Sequence, residues 1–193
     1  MKILFVRHGE SVDDIEDRYG GWADYDLTEK GRMQAAECAG KITSLNENFE
    51  IVLSSPLKRA FQAAEIISNR IGLETEVFDY LKERNLNGIL TGLVRSEAKE
   101  KYPDLVQKHS NYEYVHGSER EEDFDERVRV AMDLMKDMPY DSLVVVTHGL
   151  FLKALFREMM RIDITKVGNG GFALVEEVGK TFKIIEEEGI NYT

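Results

Sequence analysis

Short apolar runs and stretches of helical periodicity alternate along this chain. Apolar runs cover residues 2–6 (KILFV), 51–53 (IVL) and 143–146 (LVVV), and runs without alternation are typical of strands buried on both faces. Apolar residues recur at three- and four-residue spacing over 57–71 and 124–138, which predicts amphipathic helices. The order of these segments predicts an α/β fold, a three-layer α/β/α sandwich around a mostly parallel central sheet.

Capping residues support two of the predicted helices. Thr28 precedes Glu29 at the start of one helix, and Ser55-Pro56 stands at the start of the helix over 57–71. A Ser or Thr side chain accepts hydrogen bonds from the first free N–H groups of a helix, and Pro is tolerated at its first position. We therefore expect helices to begin at these two places.

The rest of the chain divides into a closing strand pair and an irregular segment. Residues 172–178 and 181–185 predict two strands joined at Gly179-Lys180. Residues 79–120 fit no regular period and are interrupted by glycine and proline, so loops and short helices are expected there. We expect all 193 residues to form one domain, with a cap-like insertion at about 79–120.

The composition argues against polyanionic partners. The chain has 25 Lys and Arg residues against 36 Asp and Glu residues, a net charge of −11, so neither nucleic acid nor an anionic membrane is expected as a partner. A phosphate must then be bound by a few local arginines, histidines and backbone N–H groups. The single cysteine, Cys38, cannot form an internal disulfide, and the N-terminal apolar run is too short for a signal-peptide core. These features predict a cytoplasmic protein.

Two histidine-glycine steps follow predicted strands. Arg7 and His8 follow the first strand, and His148 and Gly149 follow the strand LVVV. Arg59 lies about one helical turn into the element that follows the strand IVL. Glycine after a histidine lets the backbone turn sharply and approach a ligand closely. Ligands of open α/β sheets bind beyond the carboxyl ends of the strands, so we expect these residues to converge.

This set of side chains suits a phosphoryl group. The guanidinium groups of Arg7 and Arg59 offer planar, permanently charged donor forks for phosphate oxygens. One neutral imidazole can attack phosphorus and form a phosphohistidine, while the second stabilises charge on the equatorial oxygens. These groups supply the positive charge that Mg²⁺ supplies at many phosphotransfer sites, so we expect neither a metal nor another cofactor.

A proton donor for the leaving group is indicated only by position. Glu83 lies in the irregular segment, in the sequence YLKERNLNG, which we expect to overhang the crevice. A carboxyl group there can protonate the leaving oxygen and then accept a proton from the attacking water. Glutamate is usually a solvated surface residue. The position of Glu83 in the sequence therefore leaves open whether it is a proton donor or an ordinary surface residue.

The acidic run at 13–17 (DDIED) offers a different chemistry. Asp13, Asp14 and Asp17 reproduce the DDxxD pattern by which prenyl synthases hold Mg²⁺ for a diphosphate. That pattern works on a helix facing an all-helical cavity, whereas this chain alternates strands and helices and has no second aspartate-rich motif. We therefore interpret the run as a solvated acidic turn.

Five ordered segments resemble one known family. They read FVRHGES, GGWADYDLTEKG, LSSPLKRAFQAAEII, LKERNLNGILTGL and VVTHG, and the likeness extends from residue 2 to about 175. In this order they resemble the motifs of the histidine phosphatase superfamily, in the branch that contains cofactor-dependent phosphoglycerate mutases and related phosphatases. A lone Arg-His-Gly step is weak support, whereas five motifs in order are specific.

The resemblance implies roles for individual residues. It implies that His8 is the phosphorylated nucleophile and that Glu83 is the proton donor. The phosphate pocket is implied to contain Arg7, Arg59 and His148. The further substrate-binding positions that we expect from it are Ser11, Asp14, Gly20, Gly21, Arg95 and Gly149.

Phosphatase and mutase activities both use a phosphohistidine and both stay open. The stretch ERNLNGILTGLVRSE resembles the mutase loop, with Arg95 where the mutase has a substrate-binding lysine. Leu86 and Leu150, however, replace a Tyr and an Asn of the mutases, and Lys108-His109 replaces paired arginines. Fewer polar contacts favour hydrolysis over retention of a bisphosphorylated intermediate. We therefore expect a hydrolase of a small phosphorylated metabolite, with a phosphoglycerate mutase primed by 2,3-bisphosphoglycerate as the alternative.

A second alternative is a phosphate-binding or interaction module of low turnover. Asp14 stands where the family usually has an asparagine that donates to phosphate. An ionised carboxylate there repels a phosphate dianion unless it turns outward, pairs with a cation such as Arg18, or is protonated. The oligomeric state is open, and a homodimer is compatible with the sequence.

Overall fold

The computed structural model describes residues 1–111, 113–179 and 181–193. The strands are β1 (Lys2–Arg7), β2 (Ile51–Ser54), β3 (Thr75–Val77), β4 (Ser142–Thr147), β5 (Ile164–Val178) and β6 (Thr181–Tyr192). The helices are α1 (Val12–Ile15), α2 (Glu29–Ser44), α3 (Lys58–Ile71), α4 (Arg95–Lys101), α5 (Pro103–Ser110), α6 (Glu121–Lys136) and α7 (Gly149–Met160), with 3₁₀ turns at Asp79–Leu81 and Gly88–Leu90. Within these described ranges, no helix has both the length and the apolar character needed to cross a membrane.

The strands form one mixed sheet in the order β3-β2-β4-β1-β5-β6. The pairs β3–β2, β2–β4 and β4–β1 are parallel, whereas β1–β5 and β5–β6 are antiparallel. The carboxyl ends of β1, β2 and β4 therefore lie at the same end of the sheet. The predicted α/β class with a mostly parallel central sheet is confirmed.

Helices cover both faces of this sheet. Along β1, Ile3 and Phe5 enter one core with α6 and α7, whereas Leu4 and Val6 enter the other with α2 and α3. None of these four side chains is more than 1% exposed, as expected for a strand buried on both faces. The three layers predicted from the continuous apolar runs are present.

The helix after β2 begins later than predicted. It starts at Lys58, with Leu57 as its N-cap, so Ser55-Pro56 lies in the preceding loop. Ser55 Oγ accepts the N–H of Leu57 at 3.3 Å, but it makes a shorter hydrogen bond of 2.7 Å with His148 Nε2. The serine that looked like a helix cap therefore belongs to the contacts at the end of the sheet.

The closing strand pair is longer than predicted. β5 begins at Ile164, and β6 continues to Tyr192. The pairing shifts register between Val167 and Phe172, where the sequence GNGG carries no apolar pattern that marks a strand. The predicted turn residue Lys180 lies outside the described residues.

The segment over 79–120 contains the two 3₁₀ turns and the short helices α4 and α5, in keeping with its irregular pattern. It packs with Tyr19 around a small core that buries Leu90, Ala98 and Val115. Its description as a cap-like insertion within a single domain stays a prediction.

Two backbone segments touch where the loop after β1 meets α2. Thr28 Oγ1 accepts the N–H of Gly31 at 3.0 Å, which confirms the predicted start of α2, and the N–H of Thr28 donates to the carbonyl of Glu10 at 3.0 Å. A Cβ on Gly31 would overlap the Glu10 carbonyl oxygen, and a Cβ on Gly9 would overlap that of Gly31. Both glycines are therefore needed to hold the loop that follows His8 against α2.

We expect Gly31→Ala to lower the free energy of unfolding by about 1–3 kcal/mol, because the added methyl group meets rigid backbone. Gly40→Ala is the matched control in the same helix, since nothing lies within 4 Å of its Cβ position. Replacing this mid-helix glycine should stabilise the protein by up to about 1 kcal/mol. Thermal unfolding followed by circular dichroism measures both changes. Equal melting temperatures of the two variants would contradict the close approach.

Candidate active site

The carboxyl ends of β1 and β4 bring the two histidine-glycine steps together. The backbone N–H of His8 donates to the carbonyl of Thr147 at 3.1 Å, which continues the parallel pairing of the two strands. The rings of His8 and His148 lie edge to face, with 5.0 Å between their centroids. Strand pairing alone therefore places the two imidazoles side by side.

One hydrogen bond decides the tautomer of His8. Its Nδ1 lies 2.6 Å from the carbonyl oxygen of Gly9, and a carbonyl only accepts, so Nδ1 carries the proton. Nε2 keeps its lone pair and accepts the Nε–H of Arg59 at 3.2 Å. Burial and the charges of Arg59 and Arg7 lower the pKa of His8 well below its usual value of 6.5. The imidazole is therefore neutral and offers an unprotonated Nε2 beside an arginine.

Backbone carbonyls, rather than carboxylates, hold the two guanidinium groups. Arg59 of α3 donates to the carbonyls of Ala23 and Gly21 at 2.8 Å each, and Arg7 donates to the carbonyl of Val167 at 2.5 Å. In the described part of the chain, neither arginine has a carboxylate within 4.0 Å. Their positive charge is therefore available to an anionic ligand.

His148 is fully buried beside His8. Its Nε2 lies 2.7 Å from Ser55 Oγ, and its Nδ1 is buried without a hydrogen-bond partner among the described residues, as is Nε of Arg7. Burial and the charges of Arg59 and Arg7 lower the pKa of His148 well below its usual value. Two buried nitrogens near His8 thus lack the partner that buried polar groups nearly always have.

Glu83 lies at the N-terminus of α7. Its Oε2 accepts the N–H of Leu150 and its Oε1 accepts that of Phe151, both at 3.2 Å. The free N–H groups of a first helical turn attract carboxylates, so α7 fixes the Glu83 side chain near His148, which is the N-cap residue of this helix. The sequence indicated Glu83 as a candidate from its position alone. It could not indicate the two hydrogen bonds that hold the carboxylate, because backbone N–H donors leave no mark in the pattern of side chains.

No sequence motif marks Arg127 of α6, yet it holds the segment that carries Glu83. Its guanidinium group donates to the carbonyls of Tyr80, Lys82 and Glu83 at 2.7, 2.8 and 3.2 Å. It also pairs with Glu119 at 2.8 Å. Arg127 therefore fixes three carbonyls of the short backbone stretch from Tyr80 to Glu83 on one side of the site, while in the sequence it resembles any other charge on a helix.

These groups open into a cavity of about 240 Å³. Four of the predicted catalytic residues line it, namely Arg7, His8, Arg59 and Glu83. Four of the predicted substrate-binding residues line it as well, namely Asp14, Gly20, Gly21 and Arg95. His148 lies behind this lining, in contact with the His8 ring.

Ser11 and Gly149 do not line the cavity, but each contacts a residue that does. The backbone N–H of Ser11 donates to Asp14 Oδ2 at 3.0 Å. At Gly149, a Cβ would lie 3.4 Å from Arg7 Nε, so the missing side chain lets that guanidinium group pack against the start of α7. Direct contact of Ser11 and Gly149 with substrate stays a prediction.

Arg95 and Arg18 pair with acidic neighbours other than Asp14. Arg95 lies 3.3 Å from Asp17, and its guanidinium group stacks 4.3 Å from the centre of the Tyr19 ring. Arg18 pairs with Glu16 at 2.5 Å. Asp14 is exposed on the cavity wall, and its Oδ2 accepts the backbone N–H of Ser11, so its partner is local backbone rather than Arg18.

Asp13 does not fit the prediction of a solvated acidic turn. Its side chain is 9% exposed and lines the cavity, whereas Asp14 and Asp17 are exposed. Its Oδ1 is buried without a hydrogen-bond partner in the described part of the chain. The short helix α1 turns this one carboxylate inward, so the solvated interpretation is wrong for Asp13.

Trp22 reports on the Glu83 segment, because it is the only tryptophan and its indole N–H donates to the carbonyl of Glu83 at 2.6 Å. We expect Arg127→Ala to loosen this segment, shift the tryptophan emission to longer wavelength and lower the free energy of unfolding by about 2 kcal/mol. Arg129→Ala is the control on the same helix, since Arg129 forms surface ion pairs of small energy. An unchanged emission spectrum of Arg127→Ala would contradict the anchoring role.

The sequence matches one family over most of its length. The model of the histidine phosphatase superfamily (branch 1) matches residues 3–178. Phosphoserine phosphatase 1 of Hydrogenobacter thermophilus is 29% identical over 176 residues, which cover 89% of this chain and 82% of that protein. Phosphoglycerate mutase-like protein 4 of Arabidopsis thaliana is 34% identical over 172 residues, which cover 86% of this chain and 74% of that protein.

Solved structures share the fold over nearly the whole chain. The alpha-ribazole phosphatase of Shigella flexneri matches with a TM-score of 0.83 at 20% identity, covering 99% of this chain and 96% of that chain. A phosphoglycerate mutase of Bacillus anthracis matches with a TM-score of 0.79 at 21% identity, covering 98% and 92%. At these identities the structures show the fold, and the sequence match shows the family. The chain belongs to the histidine phosphatase superfamily (branch 1) and is an enzyme of the phosphatase or phosphoglycerate mutase type.

Proposed function

We propose that the protein is a metal-independent phosphomonoester hydrolase that acts on a small phosphorylated metabolite through a phosphohistidine at Nε2 of His8. One observation carries the proposal: the unprotonated Nε2 of His8 lies beside an arginine donor, in a site with two buried nitrogens that have no partner among the described residues. Arg59 Nε lies 3.2 Å from it, and Arg7 Nε and His148 Nδ1 are buried and unpartnered among the described residues. A phosphoryl group bound at Nε2 would accept hydrogen bonds from these groups.

The first step is attack by His8. The lone pair of Nε2 forms the P–N bond while the P–O bond to the leaving alcohol breaks, and Arg7 and Arg59 stabilise charge on the phosphoryl oxygens. When the hydroxyl of Ser55 donates to His148 Nε2, the Nδ1–H of His148 becomes a further donor. The Nδ1–H of His8 stays on the Gly9 carbonyl, which stabilises the positive charge that the ring gains.

Glu83 handles the proton in both steps. It gives a proton to the leaving alcohol oxygen in the first step. In the second step it takes a proton from the attacking water, while the new P–O bond forms and the P–N bond electrons return to His8. The backbone N–H groups of Leu150 and Phe151 hold both carboxyl oxygens, and Arg127 holds the adjoining backbone. This fixed position supports Glu83 as the proton donor.

The lining of the cavity favours hydrolysis over mutase activity. Leu86, His109 and Leu150 line it. At the corresponding positions the mutases carry a tyrosine, one of a pair of arginines and an asparagine. The side chains of this chain give few hydrogen bonds to a bisphosphorylated intermediate, and His109 Nε2 is already bonded to Asn87 Oδ1 at 2.9 Å. Arg95 on the cavity wall is the observation that favours the alternative, a mutase primed by 2,3-bisphosphoglycerate.

Asp14 was the reason to consider a binding module of low turnover. Its carboxylate lines the cavity, but it is exposed to solvent and accepts the backbone N–H of Ser11, and both reduce its repulsion of a bound phosphate. This arrangement supports turnover.

The expectations about metals, cofactors, partners and location form the rest of the proposal. Within the described ranges, no group of three His, Cys, Asp or Glu side chains is placed to hold a metal ion, but independence from metals and cofactors stays a prediction. The small phosphorylated substrate as the main partner, the exclusion of nucleic acid and membranes, and a cytoplasmic location also stay predictions. The oligomeric state stays open, and a homodimer is compatible with the sequence.

The neutral state of His8 is expected to persist below pH 6.5. Because burial lowers its pKa, the ring stays unprotonated as the pH falls through the range where an exposed histidine takes up a proton. Long-range ¹H–¹⁵N NMR spectra at about pH 6 should show a protonated Nδ1 and a bare Nε2, with the His8→Asn spectrum identifying the signal. A ring that titrates with a midpoint near 6.5 would contradict the inferred environment.

We expect release of phosphate from p-nitrophenyl phosphate in the presence of EDTA. His8→Asn removes the nucleophile and should lower kcat by at least about a thousandfold. His116→Asn is the matched control, because His116 is exposed and does not line the cavity, and its rate should equal that of the wild type. Activity that disappears with EDTA and returns with Mg²⁺ would contradict the mechanism.

The alternatives give different results with 3-phosphoglycerate. A hydrolase releases phosphate faster than it forms 2-phosphoglycerate, with or without added 2,3-bisphosphoglycerate. Faster formation of 2-phosphoglycerate that depends on the bisphosphate would establish the mutase. Binding of phosphate without an acid-labile phosphohistidine would establish the binding module.

A further inference from the structure

The cavity holds one carboxylate that the proposed mechanism does not use. Asp13 lines the cavity together with Arg7, His8 and Arg59, and its side chain is nine-tenths buried. Its Oδ1 is buried and accepts no hydrogen bond from any described residue. A buried carboxylate oxygen that has lost its hydration without gaining a donor is unfavourable. A donor group on a ligand would therefore stabilise it.

The space for this carboxylate exists because residue 20 has no side chain. A Cβ on Gly20 would overlap Asp13 Oδ2. Gly20 is not in the left-handed region, unlike Gly21, whose φ is 54°, so backbone conformation does not require a glycine at position 20. Gly20 also lines the cavity. Asp13 therefore occupies, on the cavity wall, the volume that a side chain at position 20 would take.

Asp13 lies near the phosphate-binding cations without being neutralised by them. Burial lowers the pKa of Arg7, while the carboxylates of Glu83, Asp14 and Asp13 raise it, which puts Asp13 within Coulombic range of that guanidinium group. In the described part of the chain, no Lys, Arg or His nitrogen lies within 4.0 Å of the Asp13 carboxylate. The cavity thus offers cations for a phosphoryl group and, beside them, a carboxylate without a counterion.

We propose that Asp13 determines substrate specificity by binding an ammonium group on the alcohol part of the substrate, so that phosphomonoesters of amino alcohols are the preferred class. The inference rests on the proposed hydrolase function and names the substrate class of the same site. An ammonium group suits Asp13 better than a hydroxyl, because a charge-assisted hydrogen bond is about twice as strong as a neutral one. A methyl group at the same place would leave Oδ1 unpartnered.

The test compares O-phosphoethanolamine with n-propyl phosphate, which has a methyl group in place of the ammonium. The wild-type protein should prefer phosphoethanolamine in kcat/KM. Asp13→Asn keeps the shape of the side chain and should reduce this preference by roughly 10- to 100-fold, the range for loss of one hydrogen bond to a charged group. A melting curve confirms that the variant is folded.

A second variant separates the position of the carboxylate from its charge. Gly20→Ala keeps every charge but displaces the Asp13 carboxylate, so the preference should fall as well. Asp133→Asn is the control, because it removes a charge from an exposed position on α6, and it should leave the preference unchanged. 2-Hydroxyethyl phosphate, which offers a neutral donor, should be a poorer substrate than phosphoethanolamine.

Failure of this inference and failure of the proposed function give different results. Suppose that p-nitrophenyl phosphate is hydrolysed. The role of Asp13 alone is then overturned if the protein shows no preference between phosphoethanolamine and n-propyl phosphate, or if Asp13→Asn keeps the preference. Equal use of the hydroxyethyl and amino esters overturns the assignment of an ammonium group. If p-nitrophenyl phosphate is not hydrolysed, the proposed function fails, and calorimetric dissociation constants still decide the role of Asp13. Equal constants for the two esters would overturn it.

Discussion

Two guanidinium groups buried beside a neutral imidazole determine the character of this site. Arg7 and Arg59 are held by backbone carbonyls, so their charges are positioned without being neutralised by a carboxylate. Together with burial, these charges keep His8 unprotonated, which a nucleophile requires. The chain as a whole carries a net charge of −11, so it repels anions at long range. Attraction of a phosphoryl group depends on this local arrangement.

The proposed nucleophile and the proposed proton donor are positioned by different parts of the fold. His8 and His148 follow paired parallel strands, so the sheet itself fixes their separation. Glu83 lies in an irregular segment and depends on two helices, because the N-terminus of α7 binds its carboxylate and Arg127 of α6 binds its backbone. The sheet thus forms a rigid base for the two histidines, and long-range contacts between loops and helices complete the site.

The sequence predicted the central strands β1, β2 and β4, their two-sided burial and the convergence of Arg7, His8, Arg59 and His148. These follow from local patterns, since parallel strands place the residues after them at one end of the sheet. The interpretation of Asp13 failed for a physical reason. Neighbouring residues of a short helical turn point in different directions, and whether a carboxylate faces solvent or a cavity depends on what packs above it. Here the absence of a side chain at position 20 decides the outcome.

The sequence by itself therefore determined the fold class, the end of the sheet that carries the site and the residue types suited to a phosphoryl group. Hydrophobic periodicity and the residues that follow strands are properties of neighbouring positions in the chain. Only the tertiary structure decided the tautomer of His8, the anchoring of Glu83 and the inward direction of Asp13. The tautomer depends on the local backbone conformation that brings the Gly9 carbonyl to Nδ1, and the other two depend on backbone N–H groups or free volume contributed by other segments. Such contacts leave no pattern in the order of side chains.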